Sequence, residues 1–128
     1  MIPVRYSLKK QKMSIGANQG KDLYYAQFKL NGQMSFDELC ETIADGNTLS
    51  KGEAIAVLYR LADVVKAQME QGRSVDCGEL GIFRPSFSSN GVANETDFNV
   101  RRDMRTPKIT FKPKKKMKRL KVSYQKRK

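Results

Sequence analysis

The 128-residue chain is long enough for one domain and too short for two of ordinary size. It carries 25 Lys and Arg against 13 Asp and Glu, a formal net charge of +12, with no His and no Trp. The missing His excludes Ser-His and Cys-His catalysis and His-ligated zinc, and no apolar run approaches the ~18 residues of a membrane span. Cys40 and Cys77 form no CxxC pair. A zinc ribbon is thereby excluded, a disulfide scaffold is disfavoured, and a reducing cytosol is the expected compartment. The basic N-terminal residues are followed by no apolar stretch, so no secretory signal is expected.

Charge is unevenly spread. Residues 101–128 hold 14 Lys and Arg and one acid, Asp103, a net of +13. Residues 22–97 hold six basic and 12 acidic side chains, a net of −6, while Arg5, Lys9, Lys10 and Lys12 make the N-terminal end basic too. Basic ends of this density suit a polyanion, because each neutralised phosphate releases condensed counterions. A solvated tail is the plainer reading of a lone Lys run, but several of these cations fall inside patterned segments.

In chain order, Val4, Tyr6 and Leu8 alternate with Arg5, Ser7 and Lys9, which predicts a strand over 3–9. Residues 10–22 are polar and read as a mobile loop. Tyr24, Ala26, Phe28 and Leu30 keep a second strand register over 23–30, and Asn31-Gly32 marks a turn. Residues 1–33 therefore read as a two-stranded extension.

Two helices follow, each opened by a capping-box sequence: Ser35 with Glu38, and Ser50 with Glu53. The first keeps Phe36, Leu39, Cys40, Ile43 and Ala44 on one face and ends at Gly46. Cys40 reads as a buried small hydrophobe rather than a nucleophile. The second runs to about Gln71 and stops at Gly72. Its apolar residues, Leu58, Leu61 and Val65 among them, form a stripe too wide for one small neighbour, and a second copy of the chain is the economical cover.

After Gly72 the period becomes two. Ser74–Cys77 is a short strand, 78–81 a turn and 82–88 a longer strand, in which Pro85 implies an edge or a bend. Residues 89–98 are polar and turn-rich. Residues 99–106 are expected to return as a strand with Arg101, Asp103 and Arg105 on one face, so that 84–106 forms an arm. Ile109–Phe111 is a last strand, and Pro113 opens a basic helix over roughly 114–122. Residues 123–128 are expected to be a disordered basic tail.

Several signals fail. Gly16 to Lys21 is one residue short of a phosphate-binding loop, and Asp22 stands where Ser or Thr is needed. Asp37, Glu38 and Glu41 are explained by the helix start they occupy. No catalytic constellation is present, so no enzyme activity, cofactor, metal or small-molecule substrate is expected.

The order helix–helix–strand–turn–strand–arm–strand–basic helix over 34–122 resembles the HU/IHF family of bacterial histone-like DNA-binding proteins. Gly78-Glu79-Leu80-Gly81-Ile82-Phe83 is similar to that family's Gly-Phe-Gly-x-Phe turn, with Leu80 in place of the first aromatic. Ile109-Thr110-Phe111-Lys112-Pro113, with Lys114 to Leu120 after it, resembles its third strand and basic C-terminal helix. The extension, with Pro3-Val4 near its start and Tyr24-Tyr25-Ala26 before the first helix, is similar to that of an extended HU-like subfamily. The resemblance implies an α+β fold with a three-stranded antiparallel sheet, a protruding β-arm and an intertwined homodimer. It also implies double-stranded DNA as partner in the bacterial nucleoid. By position it assigns Arg84, Arg101, Arg102, Arg105, Lys108, Lys112, Lys114, Lys115, Lys116, Lys118 and Arg119 to DNA, and Leu80, Phe83 and Phe111 to the dimer core beside Leu58, Leu61 and Val65. The sequence departs from the family at the arm tip, 89–98, which has no proline and no cation but holds Glu95 and Asp97. Two other classes stay open: an HU scaffold that binds a protein partner, and a ribosomal-type RNA-binding protein.

Overall fold

The computed structural model describes residues 2–12, 16 and 19–127. In chain order the elements are β1 (Val4–Lys12), β2 (Asp22–Lys29), α1 (Phe36–Asp45), α2 (Lys51–Glu70), β3 (Val75–Asp76), β4 (Gly81–Ser86), α3 (Val100–Asp103), β5 (Lys108–Pro113), α4 (Lys115–Lys118) and β6 (Tyr124–Lys126), with a 3-10 turn at Glu95–Asp97. They fall into two units, Met1–Leu39 with Leu120–Lys128, and Cys40–Arg119. None of the described helices is long and apolar enough to cross a membrane.

The first unit is a sheet of order β2-β1-β6. Strand alternation sets Tyr6 opposite Phe28 and Leu8 opposite Ala26 in the antiparallel β1–β2 pair. β1 runs to Lys12, three residues beyond the expected end, which shortens the loop. Within that loop, expected to be mobile, residues 13–15 and 17–18 lie outside the described residues. The terminal segment departs from expectation: Tyr124–Lys126 is a strand parallel to β1. Ser123 O accepts from Val4 N at 2.8 Å, Tyr6 O accepts from Arg127 N at 2.7 Å, and the Tyr124 ring lies 5.9 Å from that of Phe28. Backbone pairing and one ring contact order this segment. Lys128 lies outside the described residues.

The capping signals act as their sequences require. Ser35 Oγ accepts from Glu38 N at 3.1 Å. Ser50 Oγ accepts from Glu53 N at 3.1 Å, while Glu53 Oε1 accepts from Ser50 N at 3.3 Å. In the second unit Gly72, at φ +77°, stops α2. Cys40 is fully buried, in line with a packing role. α2 packs against β3 and β4 of a sheet of order β3-β4-β5. Pro85 sits in its central strand, but β3 pairs only with Ile82 and Phe83, so the edge of β4 is open at Pro85.

The register of β4 and β5 sorts their side chains cleanly. Phe83 lies opposite Phe111 and Pro85 opposite Ile109; on the other face Ile82 lies opposite Lys112, Arg84 opposite Thr110, and Ser86 opposite Lys108. The two phenylalanine rings stack at 4.7 Å and 25°. Gly81 makes this possible. At φ +149°, a Cβ there would lie 2.5 Å from Lys112 O and 2.6 Å from the Phe111 ring.

Two elements differ from the sequence expectation. The return strand over 99–106 is not formed; α3 stands there, and only an isolated bridge joins Ser89 to Met104. Local polar bonds explain it. Asn99 Oδ1 accepts from the N–H groups of Arg101 and Arg102, and Asp103 Oδ2 accepts from Asn99 N at 2.9 Å. Side chains that satisfy the backbone in this way compete with a strand ladder. Residues 87–107 therefore make a capped loop rather than a protruding β-arm. The C-terminal helix is also shorter than 114–122: α4 is a single turn, as its few apolar contacts allow.

Candidate nucleic-acid interface

Arg84, Lys108 and Lys112 project from the same face of β4 and β5, the one opposite the phenylalanine stack. All three are exposed. Thr110 lies among them, its hydroxyl donating to Arg84 O at 3.3 Å. Two strands in register thus present three cations and two hydroxyl side chains, with no carboxylate from β4 or β5. Lys115, Lys118 and Arg119 extend the positive charge into α4 and its C-cap, and are exposed.

The other predicted cations are partly engaged. Arg102 forms a two-pronged pair with Asp103, at 3.1 and 3.0 Å, and donates to Asp97 O at 2.6 Å. Asp103 is buried. The Arg102 guanidinium, followed by the Asn99 N–H, holds its carboxyl below the ordinary value, and Asp103 in turn raises Arg102. Arg102 therefore braces the loop. Arg105 donates to Asn90 Oδ1 at 3.1 Å and keeps its charge unneutralised. Lys114 donates to Asp76 at 3.0 Å. That contact, with the Gly78 N–H behind it, lowers the Asp76 carboxyl. Lys116 lies 3.5 Å from Glu79, with both side chains open to solvent. Arg101 stays exposed on α3.

The opposite, apolar side is open. A groove of about 400 Å³ is lined by Leu58, Leu61, Val65, Leu80, Phe83 and Ile109, so five of the six predicted dimer-core residues meet there, and Phe111 joins through its stack on Phe83. Only Cys40, Ala54, Val65 and Met69 are buried apolar residues among those described, whereas Phe111 is 43 % and Ile109 66 % exposed. Sequence reasoning placed Ile109 in the last strand but not on the apolar face, although its spacing of two from Phe111 was signal enough. It also missed Asn99, whose signal was an acid four residues on. Among the described residues no group of three His, Cys, Asp or Glu could hold a metal ion.

Residues 2–126 match a family described as an HU domain fused to a winged helix-turn-helix, an immunoglobulin-like domain or a glycine-rich motif. The chain belongs to the HU-HIG family. No curated protein matches it significantly. Its fold is similar to the crystal structure of a Bacteroides vulgatus protein provisionally assigned as a bacterial DNA-binding protein, with a TM-score of 0.62 and 12 % identity. The likeness covers 98 % of this HU-HIG chain and 49 % of the other, so the chain spans about half that protein's length.

Proposed function

We propose that this HU-HIG chain is a non-enzymatic architectural DNA-binding protein of the bacterial nucleoid, acting as a homodimer on duplex DNA with little reading of base sequence. The observation that carries the reading is the row of Arg84, Lys108 and Lys112 on one sheet face, backed by an apolar face that a single chain leaves open. Phosphates bind the cations of β4 and β5, and Lys115, Lys118 and Arg119 flank them. A second copy covers the groove at Leu58, Leu61, Leu80, Phe83 and Phe111. Glu95 and Asp97 would be repelled by the phosphates that line a minor groove, so contact runs along the sheet and not through an inserted tip.

The test is fluorescence anisotropy with unrelated duplexes and a structured RNA across a salt series. The expected result is similar affinity for all duplexes, weaker RNA binding and a steep salt dependence. Tighter RNA binding at matched salt would favour the ribosomal-type reading. One observation favours a second function, a protein-binding HU scaffold: the segment that would enter the groove is folded on itself around Asn99 and Asp103.

A further inference from the structure

We propose that the polar face of the β2-β1-β6 sheet is a second surface for the phosphate backbone of duplex DNA, an inference that rests on the DNA-binding reading above. The β1–β2 register sets Arg5 directly opposite Lys29, with Gln125 of β6 on Arg5's other side. Like charges at directly opposed positions weaken a strand pair. A solvated surface would gain by placing an acid or a neutral residue at one of them. Lys9 follows on the same face, opposite Tyr25, and the remaining side chains of that face in β1 and β2 are Ser7, Gln11, Leu23 and Gln27.

No carboxylate belongs to this face. Asp22, the one acid in the three strands, lies opposite Lys12 on the other face and pairs with Lys10 at 3.3 Å. Arg5, Lys9 and Lys29 are exposed and form no ion pair among the described residues. Lys9 is four residues from Arg5, about 13 Å along an extended strand. One small anion does not span that distance, whereas successive phosphates of a nucleic-acid strand do. The face therefore holds cations whose repulsion a polyanion relieves.

The experiment uses the full chain, a 20-base-pair duplex and, as a separate probe, inorganic phosphate. The variant Arg5→Gln/Lys9→Gln/Lys29→Gln should flatten the log–log salt slope of duplex binding by about 0.9 for each phosphate no longer neutralised, up to about 2.7 per bound chain. Without DNA at low salt, its thermal midpoint should equal or exceed that of the wild type, because the Arg5–Lys29 repulsion is gone. The opposite-face variant Lys10→Gln/Lys12→Gln/Lys126→Gln should change the slope by less than half as much. Inorganic phosphate at millimolar concentration should leave the wild-type midpoint unchanged. A wild-type slope in the polar-face variant overturns this surface alone, as does an equal flattening in both variants or specific stabilisation by phosphate. A wild-type chain that binds no duplex overturns this surface and the proposed function together.

Discussion

Replacing Gly81 by Ala should weaken the fold at the point where the two faces of the β4–β5 sheet are set. The added Cβ would meet Lys112 O at 2.5 Å and two Phe111 ring atoms at 2.6 and 2.8 Å, from a backbone at φ +149°. Neither neighbour can yield freely: one is the backbone of the paired strand, and the other is held in the stack on Phe83. An L-residue in such a backbone region costs about 1–3 kcal/mol, and overpacking adds about 1–3 kcal/mol. The expected loss is therefore about 2–6 kcal/mol out of the ~5–15 typical of a domain. With an m-value of about 2 kcal/mol per molar urea, the unfolding midpoint should fall by about 1–3 M. The assay is urea unfolding at matched protein concentration, since an associating chain has a concentration-dependent stability. Gly91→Ala is the control. Nothing lies within 4 Å of its Cβ, so its stability should stay within about 0.5 kcal/mol of wild type. A Gly81→Ala protein as stable as the control would refute the packing argument.

Three other outcomes are expected. Leu61 is 37 % exposed in the single chain, so about a third of the ~2 kcal/mol of leucine burial is left for a partner. Counted twice in a symmetric dimer, Leu61→Ala should raise the dimer Kd about tenfold in sedimentation equilibrium; a wild type that is monomeric at micromolar concentration contradicts this. Asp103 has its folded-state pKa lowered by Arg102 and the Asn99 N–H from a starting value of 3.8. The stability it adds is therefore present above that value and lost as pH falls through the lower, folded one. Asp103→Asn should lose less stability than wild type between pH 5 and pH 2 in thermal melts, and an unchanged acid profile would count against the pairing. Lys115→Gln/Lys118→Gln should flatten the salt slope of DNA binding more than Lys114→Gln/Lys116→Gln, because Asp76 and Glu79 already pair with the latter two lysines.

Where residues carried both a period and a stop signal, the fold was legible. Ser50, Glu53 and Gly72 bound α2 as their chemistry requires, and the alternation of Val4, Tyr6 and Leu8 against Tyr24, Ala26 and Phe28 sets the first sheet. β6 was illegible because, beside the one ring contact of Tyr124, its order comes from backbone bonds to Val4 and Tyr6, which leave no mark on side-chain pattern. The capped loop was misread because Arg101, Asp103 and Arg105 also fit a period of two, and the Asn99–Asp103 bonds prevail over that pattern. For the candidate interface, what the sequence left unread is which cations are already engaged. Arg84, Lys108 and Lys112 share a face, whereas Arg102 and Lys114 are matched to acids one and 38 residues away.

In the proposed function, DNA binding by this chain centres on the sheet face that carries Arg84, Lys108 and Lys112. Its most direct test is the salt dependence of duplex binding for Arg84→Gln/Lys108→Gln/Lys112→Gln against the wild type, with far-UV circular dichroism confirming that both fold. The expected result is a log–log slope shallower by about 2–3 units per bound chain, at about 0.9 for each phosphate no longer neutralised, with no new preference among duplex sequences. A variant that keeps the wild-type slope and affinity would contradict it.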